Sequence, residues 1–368
     1  MSTKPAGAPS SEEIAQAAAL IGQSRKPVIV AGSDVIEGDA TVALQNLAER
    51  LQSPVFTTTS GKGAIADDHA LAMGCISRLG VVQELLAEAD LLLSVGARLT
   101  EFDTGRFTLQ FPSRHIQIDR DPTHAGLPLP AECRLAGDLN AILQALSSAV
   151  TPHSAWKSYS SLRIQERNKL DALKAEPYAA LELLRSALNR DDVVVNDQSI
   201  LNYWASAFFP VLEPRTFLYP TGSGTLGYAL PAAIGAACTG RPGRIICIAG
   251  DGGFQYTAHE LATLAHYNLP VKILLVNDNA YGIIGFLQRS FFGHTHEVQL
   301  RNPDFCVLAE AYGIAAQRVS DFESLCRQLP VWLDTRGPAL LEWRTELKAP
   351  WETGAINRPA NLPMKEQN

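Results

Sequence analysis

Two acidic residues, each at the end of an apolar stretch, are the side chains best placed to do chemistry. Asp251 closes the stretch RIICIAGD, and Asp278 closes VKILLVND 27 residues later. The interval has room for a helix and a strand, so we expect both acids at the carboxyl ends of neighbouring parallel strands, where open α/β sheets bind ligands. Two carboxylates, carbonyl oxygens and a phosphate form an oxygen-rich site that suits Mg²⁺.

Glycines beside Asp251 indicate how an anion would bind there. Gly252 and Gly253 let backbone N–H groups approach a phosphate closely, whereas the aspartate would repel it unless a cation lay between them. Residues 254–260 and 280–287 contain no Lys or Arg, so a divalent metal would have to neutralise the phosphate. The alternative is a helix cap at Asp251 and a simple turn at 277–279, but both acids at this spacing favour a metal site.

A third glycine-rich segment, Gly222-x-Gly224-x-x-Gly227, has the spacing of a dinucleotide-binding fingerprint. Asp251 lies 24 residues after Gly227, where an acid that binds ribose would be expected. Pro220 interrupts the stretch before these glycines, which is therefore a poor buried strand. A nicotinamide-dependent dehydrogenase is the least favoured interpretation.

The elements that must position these residues alternate between helix and strand along the chain. Continuous apolar strands separated by helices are typical of parallel sheets that are covered on both faces. The predicted strands lie in the apolar stretches that begin at residues 26, 53, 90, 115, 192, 244, 271 and 338.

The fold class predicted from this pattern is α/β, with two doubly wound parallel-sheet domains. Polar and Pro-rich segments separate the domains from each other and from the two ends of the chain. We predict a flexible tail at 1–12, a first domain at 13–150, a linker at 151–178, a second domain at 179–347 and a C-terminal tail at 348–368.

Composition and charge argue against several classes of protein. The 368 residues include 31 Lys and Arg against 38 Asp and Glu, a net charge of −7, and 46% are hydrophobic. An acidic chain without a basic cluster does not favour a nucleic-acid or membrane-surface partner, and no apolar run approaches the roughly 20 residues of a membrane span. The first residues lack a secretory signal, and the six cysteines form no CxxC pair. We expect a soluble, cytoplasmic protein.

Two long segments, GSGTLGYALPAAIGA and GDGGFQYTAHELATLAHYNLPVKILLVNDNAYGII, closely resemble the thiamine diphosphate (ThDP) enzymes of the acetolactate synthase and 2-oxo-acid decarboxylase superfamily. That family's signature is GDG followed, about two dozen residues later, by an Asn pair. KPVIVAG and HIQIDRDP resemble the family's middle domain, which is a transhydrogenase-like module. The resemblance covers residues 13–347 and implies a middle domain followed by a ThDP diphosphate-binding domain.

The resemblance assigns roles to individual residues of the second domain. Asp251 and Asp278 would be the side-chain ligands of Mg²⁺, with the backbone carbonyl of Ala280 as a third ligand; most relatives have Asn where Asp278 stands. Leu226 would hold ThDP in its bent conformation, and the Gly224 carbonyl would accept a hydrogen bond from the 4′-amino group. The predicted cofactor-binding residues are Ser199, Ile200, Leu201, Gly224, Thr225, Leu226, Gly250, Asp251, Gly252, Gly253, Asp278, Ala280, Tyr281, Gly282 and Ile283.

The chemistry implied by the resemblance is supplied by the cofactor. A carbanion at the thiazolium C2 attacks a 2-oxo acid, CO₂ leaves, and the enamine is protonated or adds to a second carbonyl. The reactions implied are simple decarboxylation and an acetolactate synthase-like carboligation.

The expected assembly follows from one domain of the family that no segment of this sequence resembles. Family members carry a pyrimidine-binding domain whose glutamate activates ThDP, and no segment here resembles it, so no catalytic residue is assigned in this chain. We expect a split enzyme in which this chain is the large subunit and a separate pyrimidine-domain subunit has roughly 150–200 residues. The hetero-oligomer would contain two or four copies of each subunit. The alternative is a catalytically silent subunit.

Two further groups of residues carry weaker signals. Flavin-binding relatives have an Arg-rich motif where this chain has Arg98, Asp103 and Arg106, but the segment RLTEFDTGRF departs from that motif. FAD is therefore not expected. His294 and His296 could act as a pair of metal ligands, but the sequence offers no third ligand beside them. A solvated or substrate-access loop is therefore favoured.

Overall fold

The computed structural model describes residues 9–78, 80–124 and 129–356. The chain divides into two compact units: Met1–Ala172 with Pro210–Pro214, and Leu173–Phe209 with Arg215–Asn368. Each unit contains one six-stranded sheet in which all strands are parallel. The predicted fold class, α/β with two parallel-sheet domains, is confirmed.

The sheet of unit 1 has the strand order β3-β2-β1-β4-β5-β6. Its two middle strands, β1 and β4, are buried along their whole length because helices cover both faces. The strands are β1 Pro27–Ala31, β2 Val55–Thr57, β3 Ala72–Cys75, β4 Leu91–Val95, β5 His115–Asp119 and β6 Cys133–Ala136.

The first helix of unit 1 begins at Ser11, inside the segment predicted as a tail, because Ser10 and Glu13 form a capping box. The segment predicted as a linker contains α6, and residues 1–8 of the predicted tail lie outside the described residues. The helices are α1 Ser11–Gln23, α2 Ser33–Glu37, α3 Thr41–Leu51, α4 Gly80–Glu88, α5 Leu139–Ala149 and α6 Tyr159–Leu173, which ends at the first residue of unit 2.

The sheet of unit 2 has the strand order β11-β12-β10-β9-β7-β8. β10 lies near the centre, and all seven of its residues are buried. The order reverses between β7 and β9, which makes their carboxyl ends the switch point of this sheet. The strands are β7 Val193–Asn196, β8 Phe217–Leu218, β9 Ile245–Gly250, β10 Val271–Asn277, β11 Ala315–Val319 and β12 Ala339–Arg344.

The helices of unit 2 cover its sheet and continue past its last strand. The final helix, α15, lies in the segment predicted as a C-terminal tail, and residues 357–368 lie outside the described residues. The helices are α7 Glu176–Ala187, α8 Ile200–Phe208, α9 Ala229–Cys238, α10 Asp251–Gln255, α11 Leu261–His266, α12 Gly282–Phe292, α13 Phe305–Ala311, α14 Phe322–Asp334 and α15 Pro350–Thr353. Within the described residues, no helix is both long and apolar enough to cross a membrane.

Candidate cofactor-binding site

A cleft of about 310 Å³ lies where β7, β9 and β10 end. It belongs entirely to unit 2 and sits at the switch point of that sheet, the place at which open α/β sheets bind ligands. The lining residues are Gln198, Ser199, Ile200, Tyr203, Gly224, Leu226, Gly250, Asp251, Gly252, Gly253, Val276, Asp278, Ala280, Tyr281, Gly282, Ile283, Ile284 and Leu347.

The two predicted acids lie together in this cleft. Because β9 and β10 are paired with Gly250 opposite Val276, Asp251 and Asp278 emerge side by side from the same edge of the sheet. Asp251 is 3% exposed, and burial raises its pKa. Burial and then the charge of Asp251 raise the pKa of Asp278 to about 7. The predicted juxtaposition of the two acids is therefore present.

The cleft has the features of a divalent-cation site. Two carboxylates share it, and its lining contains no Lys, Arg or His among the described residues. The backbone of Ala280 forms a bridge with Gln299, but the two hydrogen bonds around it are donated by Tyr281 and Leu300 to other carbonyls. Within the part of the chain that the structure describes, the Ala280 carbonyl accepts no hydrogen bond. Carboxylate and carbonyl oxygens with an uncompensated negative charge fit Mg²⁺.

Glycines bring backbone close to the cleft where a side chain would not fit. A Cβ on Gly252 would lie 2.6 Å from the ring of Tyr281, and a Cβ on Gly282 would lie 2.6 Å from Asp278 Oδ2. The N–H groups of the first turn of α10 have no acceptor inside the helix. The turn can therefore present backbone donors to an anion such as a diphosphate.

A second set of backbone donors comes from the start of α8. Ser199 caps this helix by accepting a hydrogen bond from the N–H of Asn202 at 3.3 Å. Helix N-termini of this kind favour anions. Gln198, which precedes the cap, is held by Asn202 and by Tyr219.

Asp197 fixes the glycine-rich turn against the end of β7. This residue is 1% exposed, and its carboxylate accepts hydrogen bonds from the N–H groups of Gly227 and Ala229, both at 3.1 Å. Gly222, Gly224 and Gly227 all have positive φ. The turn follows the edge strand β8, not a central strand, so it lacks the structural context of a dinucleotide fingerprint.

Most of the predicted cofactor residues line the cleft, and two do not. Leu201 points into the core of unit 2 and is 1% exposed, since it follows the cap by two residues on the packed face of α8. Thr225 is exposed and outside the lining. The structure places every other residue of the predicted set at the cleft.

Several residues at or behind the cleft were not predicted from the sequence. Gln198, Tyr203 and Leu347 line it, and only Gln198 lies next to a predicted residue. Behind the lining, Asn302 donates to Asp251 Oδ2 at 2.6 Å. Asn302 belongs to a loop with no recognisable motif, so tertiary structure alone reveals it.

The other clusters of possible ligands are less suitable for a metal. Ligand atoms of Asp304, Cys306 and Glu342 lie within 4.8 Å of one another. The guanidinium of Arg318 pairs with both carboxylates and supplies the charge that a metal would otherwise bring. His294 and His296 are exposed, as expected for a loop.

Comparisons with known proteins match both units. The family model "Thiamine pyrophosphate enzyme, C-terminal TPP binding domain" matches residues 197–343, and "Thiamine pyrophosphate enzyme, central domain" matches residues 14–146. A probable 2-ketoarginine decarboxylase of Pseudomonas aeruginosa is 36% identical over 349 residues, which are 92% of this chain and 61% of that protein.

Other relatives are acetolactate synthase subunits. A probable acetolactate synthase large subunit of Methanocaldococcus jannaschii is 33% identical over 353 residues, 90% of this chain and 59% of that protein. The large subunit of acetolactate synthase isozyme 2 of Escherichia coli is 32% identical over 337 residues, 89% and 61% respectively. The chain spans about three fifths of the length of these curated relatives.

Proposed function

Because the chain belongs to the thiamine pyrophosphate enzyme family, matching its central and C-terminal domain models in turn, we propose that it is the large subunit of a ThDP- and Mg²⁺-dependent enzyme acting on a 2-oxo acid. The observation that carries this proposal is the cleft in which Asp251 and Asp278 converge without a basic side chain among the described lining residues. Its relatives include acetolactate synthases and a decarboxylase. The proposed reaction is accordingly decarboxylation, followed by protonation or by carboligation.

Different residues of the cleft would bind the metal and the diphosphate of the cofactor. Asp251, Asp278 and the Ala280 carbonyl would hold Mg²⁺, and the backbone amides of Gly252 and Gly253 would hold the diphosphate. ThDP, when bound, would supply the nucleophilic carbon and the electron sink that decarboxylation of a 2-oxo acid requires.

Apolar side chains form another part of the cleft lining. Leu226, Ile283 and Leu347 line it and would exclude water from the reacting centre. Leu226 is also the residue proposed to keep ThDP bent.

The proposed assembly includes a second subunit. The matched family models are the central and C-terminal domains, and the activating glutamate of the family belongs to a pyrimidine-binding domain. We place that glutamate on a separate subunit of roughly 150–200 residues, in a cytoplasmic hetero-oligomer with two or four copies of each chain.

The metal assignment is tested by Asp251→Ala. Loss of one of two buried carboxylates should abolish Mg²⁺-dependent ThDP binding, measured by isothermal titration of the full chain with and without Mg²⁺. Asp334→Ala, which removes an exposed carboxylate of the same unit, should leave the affinity unchanged. An Asp251→Ala chain that still binds ThDP as the native chain does would refute the assignment.

The partner and the reaction are tested on protein recovered from its own cells with ThDP and Mg²⁺. Native mass spectrometry should show a small subunit and stoichiometric ThDP, and the complex should release CO₂ from a 2-oxo acid. Product analysis then separates an aldehyde, from protonation, and a hydroxy-keto acid, from carboligation. A complex that holds ThDP but converts no 2-oxo acid would favour the silent subunit. Full turnover by this chain alone would refute the split site.

A further inference from the structure

A chain of hydrogen bonds runs from the Asp251 carboxylate into the interior of unit 2. Nδ2 of Asn302 lies 2.6 Å from Asp251 Oδ2 and 3.0 Å from Asn277 Oδ1. Nδ2 of Asn277 lies 2.7 Å from Oε1 of Glu342. We call Asn302 and Asn277 the amide relay. It links the end of β9, which precedes Asp251, to the end of β10, which precedes Asp278.

Neighbouring groups determine which way each amide of the relay faces. Glu342 is fully buried and its carboxylate only accepts hydrogen bonds, so Asn277 turns its NH₂ group toward Glu342 and its oxygen toward Asn302. Gln255 donates to Asn302 Oδ1 at 2.6 Å, which leaves the NH₂ group of Asn302 facing Asp251. Flipping either amide would set donor against donor or acceptor against acceptor.

The relay supports the Asp251 carboxylate without neutralising it. An amide N–H satisfies one carboxylate oxygen but carries no charge, whereas Lys or Arg at the same place would compete with a cation for Asp251. Residues that hydrogen-bond to metal ligands in this way orient the ligand and tune its affinity.

We propose that Asn302 is a positioning residue for the metal. It holds Oδ2 of Asp251, so that Oδ1 is directed to a divalent cation, and it sets the separation of Asp251 from the end of β10. The inference rests on the proposed function, because it requires that this cleft binds Mg²⁺ with ThDP.

The test measures binding of Mn²⁺, a spectroscopic substitute for Mg²⁺, to the full chain with saturating ThDP by electron paramagnetic resonance. Asn302→Ala should raise the Mn²⁺ Kd about tenfold, and the bound-Mn²⁺ spectrum should change because one ligand is less ordered. Gln255→Ala, an exposed change that removes the hydrogen bond to Asn302 Oδ1 and so leaves the Asn302 side chain less firmly held, should raise the Kd by a smaller factor. Arg301→Ala, an exposed neighbour in the same loop, is the matched control and should behave as native.

The outcomes separate the inference from the proposed function. If the native chain binds Mn²⁺ with ThDP and both Asn302→Ala and Gln255→Ala match it, the positioning role is refuted and the function stands. A lower unfolding temperature of ligand-free Asn302→Ala with unchanged Mn²⁺ affinity would make Asn302 merely structural. If Asn302→Ala does not fold, Gln255→Ala decides. A native chain that binds no Mn²⁺ with ThDP, either alone or in the complex recovered from its own cells, would refute the proposed function and the inference with it.

Discussion

Asp251 and Asp278 are unusual as a pair because nothing in the described lining of their cleft opposes their charge. Burial and the neighbouring carboxylate raise the pKa of Asp278 to about 7, far above its ordinary 3.8. A folded carboxylic acid whose pKa is raised is more costly to ionise than the same group in the unfolded chain. The ligand-free site therefore opposes folding at neutral pH.

This cost has a definite pH dependence. Between about pH 4 and pH 7 the folded chain retains the Asp278 proton and the unfolded chain has lost it, so this group lowers the stability of the ligand-free protein as pH rises through that window. The slope approaches 1.4 kcal/mol per pH unit, as an order of magnitude. Above about pH 7 both states are ionised and the loss is complete.

Asp278→Asn should remove this dependence. We expect the ligand-free variant to unfold at a higher temperature than the native chain near pH 8, and at nearly the same temperature near pH 4, where the native carboxyl is protonated. Thermal unfolding at a series of pH values checks this. Equal melting temperatures near pH 8 would contradict the cost assigned to burial and to the charge of Asp251. The amide oxygen of the variant remains a possible ligand for Mg²⁺.

At the scale of secondary-structure elements, a single buried side chain connects the turns that follow the strands of unit 2. Asp197, after β7, accepts N–H groups of the turn that leads into α9 and also contacts the turn after β9, where a Cβ on Gly253 would lie 3.0 Å from its Oδ1. One buried carboxylate thus holds the turn that leads into α9 and lies close to the first turn of α10. Burial raises the pKa of Asp197, and the backbone donors oppose that rise.

Asp197→Ala should destabilise unit 2 by about 3 kcal/mol, because the buried N–H groups of Gly227 and Ala229 lose their acceptor at about 1–3 kcal/mol each. Urea unfolding of the ligand-free chain measures this change. Asp334→Ala, at an exposed position, should stay within about 0.5 kcal/mol of native. A loss below about 1 kcal/mol for Asp197→Ala would show that the turns hold without it.

The strands show which elements can be predicted from the sequence. Every inner strand lies in a predicted apolar stretch, whereas β3, β6, β8 and β11 were not predicted, and all four are edge strands. An edge strand is paired on one side only and need not be apolar throughout; β11, with the sequence AAQRV, is mostly exposed. Because it contains polar side chains, β11 does not form the continuous apolar run that predicts a strand.

The residues of the site likewise include some that the sequence predicts and some that it does not. Asp251, Asp278 and their glycines lie in a contiguous motif, and the sequence predicts them and their juxtaposition. Asn302 and Leu347 reach the site only through folding, and neither belongs to a pattern. Leu201 was predicted by its place in a loop, but its position on α8 directs it into the core.

At the scale of the whole molecule, the two sheets differ in the groups that lie at their switch points. In unit 1 the order reverses between β1 and β4, where Gly32 and Gly96 approach so closely that a Cβ on Gly32 would lie 2.0 Å from the Gly96 carbonyl oxygen. Burial and the charges of Asp119 and Glu37 raise the pKa of Asp34 beside them. A carboxyl group and closely packed backbone therefore lie at the switch point of this sheet, and a carboxylate at this position disfavours a nucleotide phosphate.

We therefore predict that the full chain does not bind FAD. Of the residues at the flavin-motif positions, Arg106 pairs with Glu101 and Asp103 accepts hydrogen bonds from Thr100. Fluorescence titration of FAD with the chain, together with the absorption spectrum of the protein as purified, checks this. Saturable quenching of flavin fluorescence would contradict the prediction.

The charge of the cleft also bears on how long the protein persists in a cell. In the proposed function, Mg²⁺ binds the folded state with ThDP and relieves the repulsion between Asp251 and Asp278. That relief is part of the binding free energy, so loading with cofactor stabilises the folded chain. Because proteases remove the unfolded fraction, small changes in stability change abundance. We expect thiamine starvation to shorten the lifetime of this chain, so that its amount follows the supply of its own cofactor.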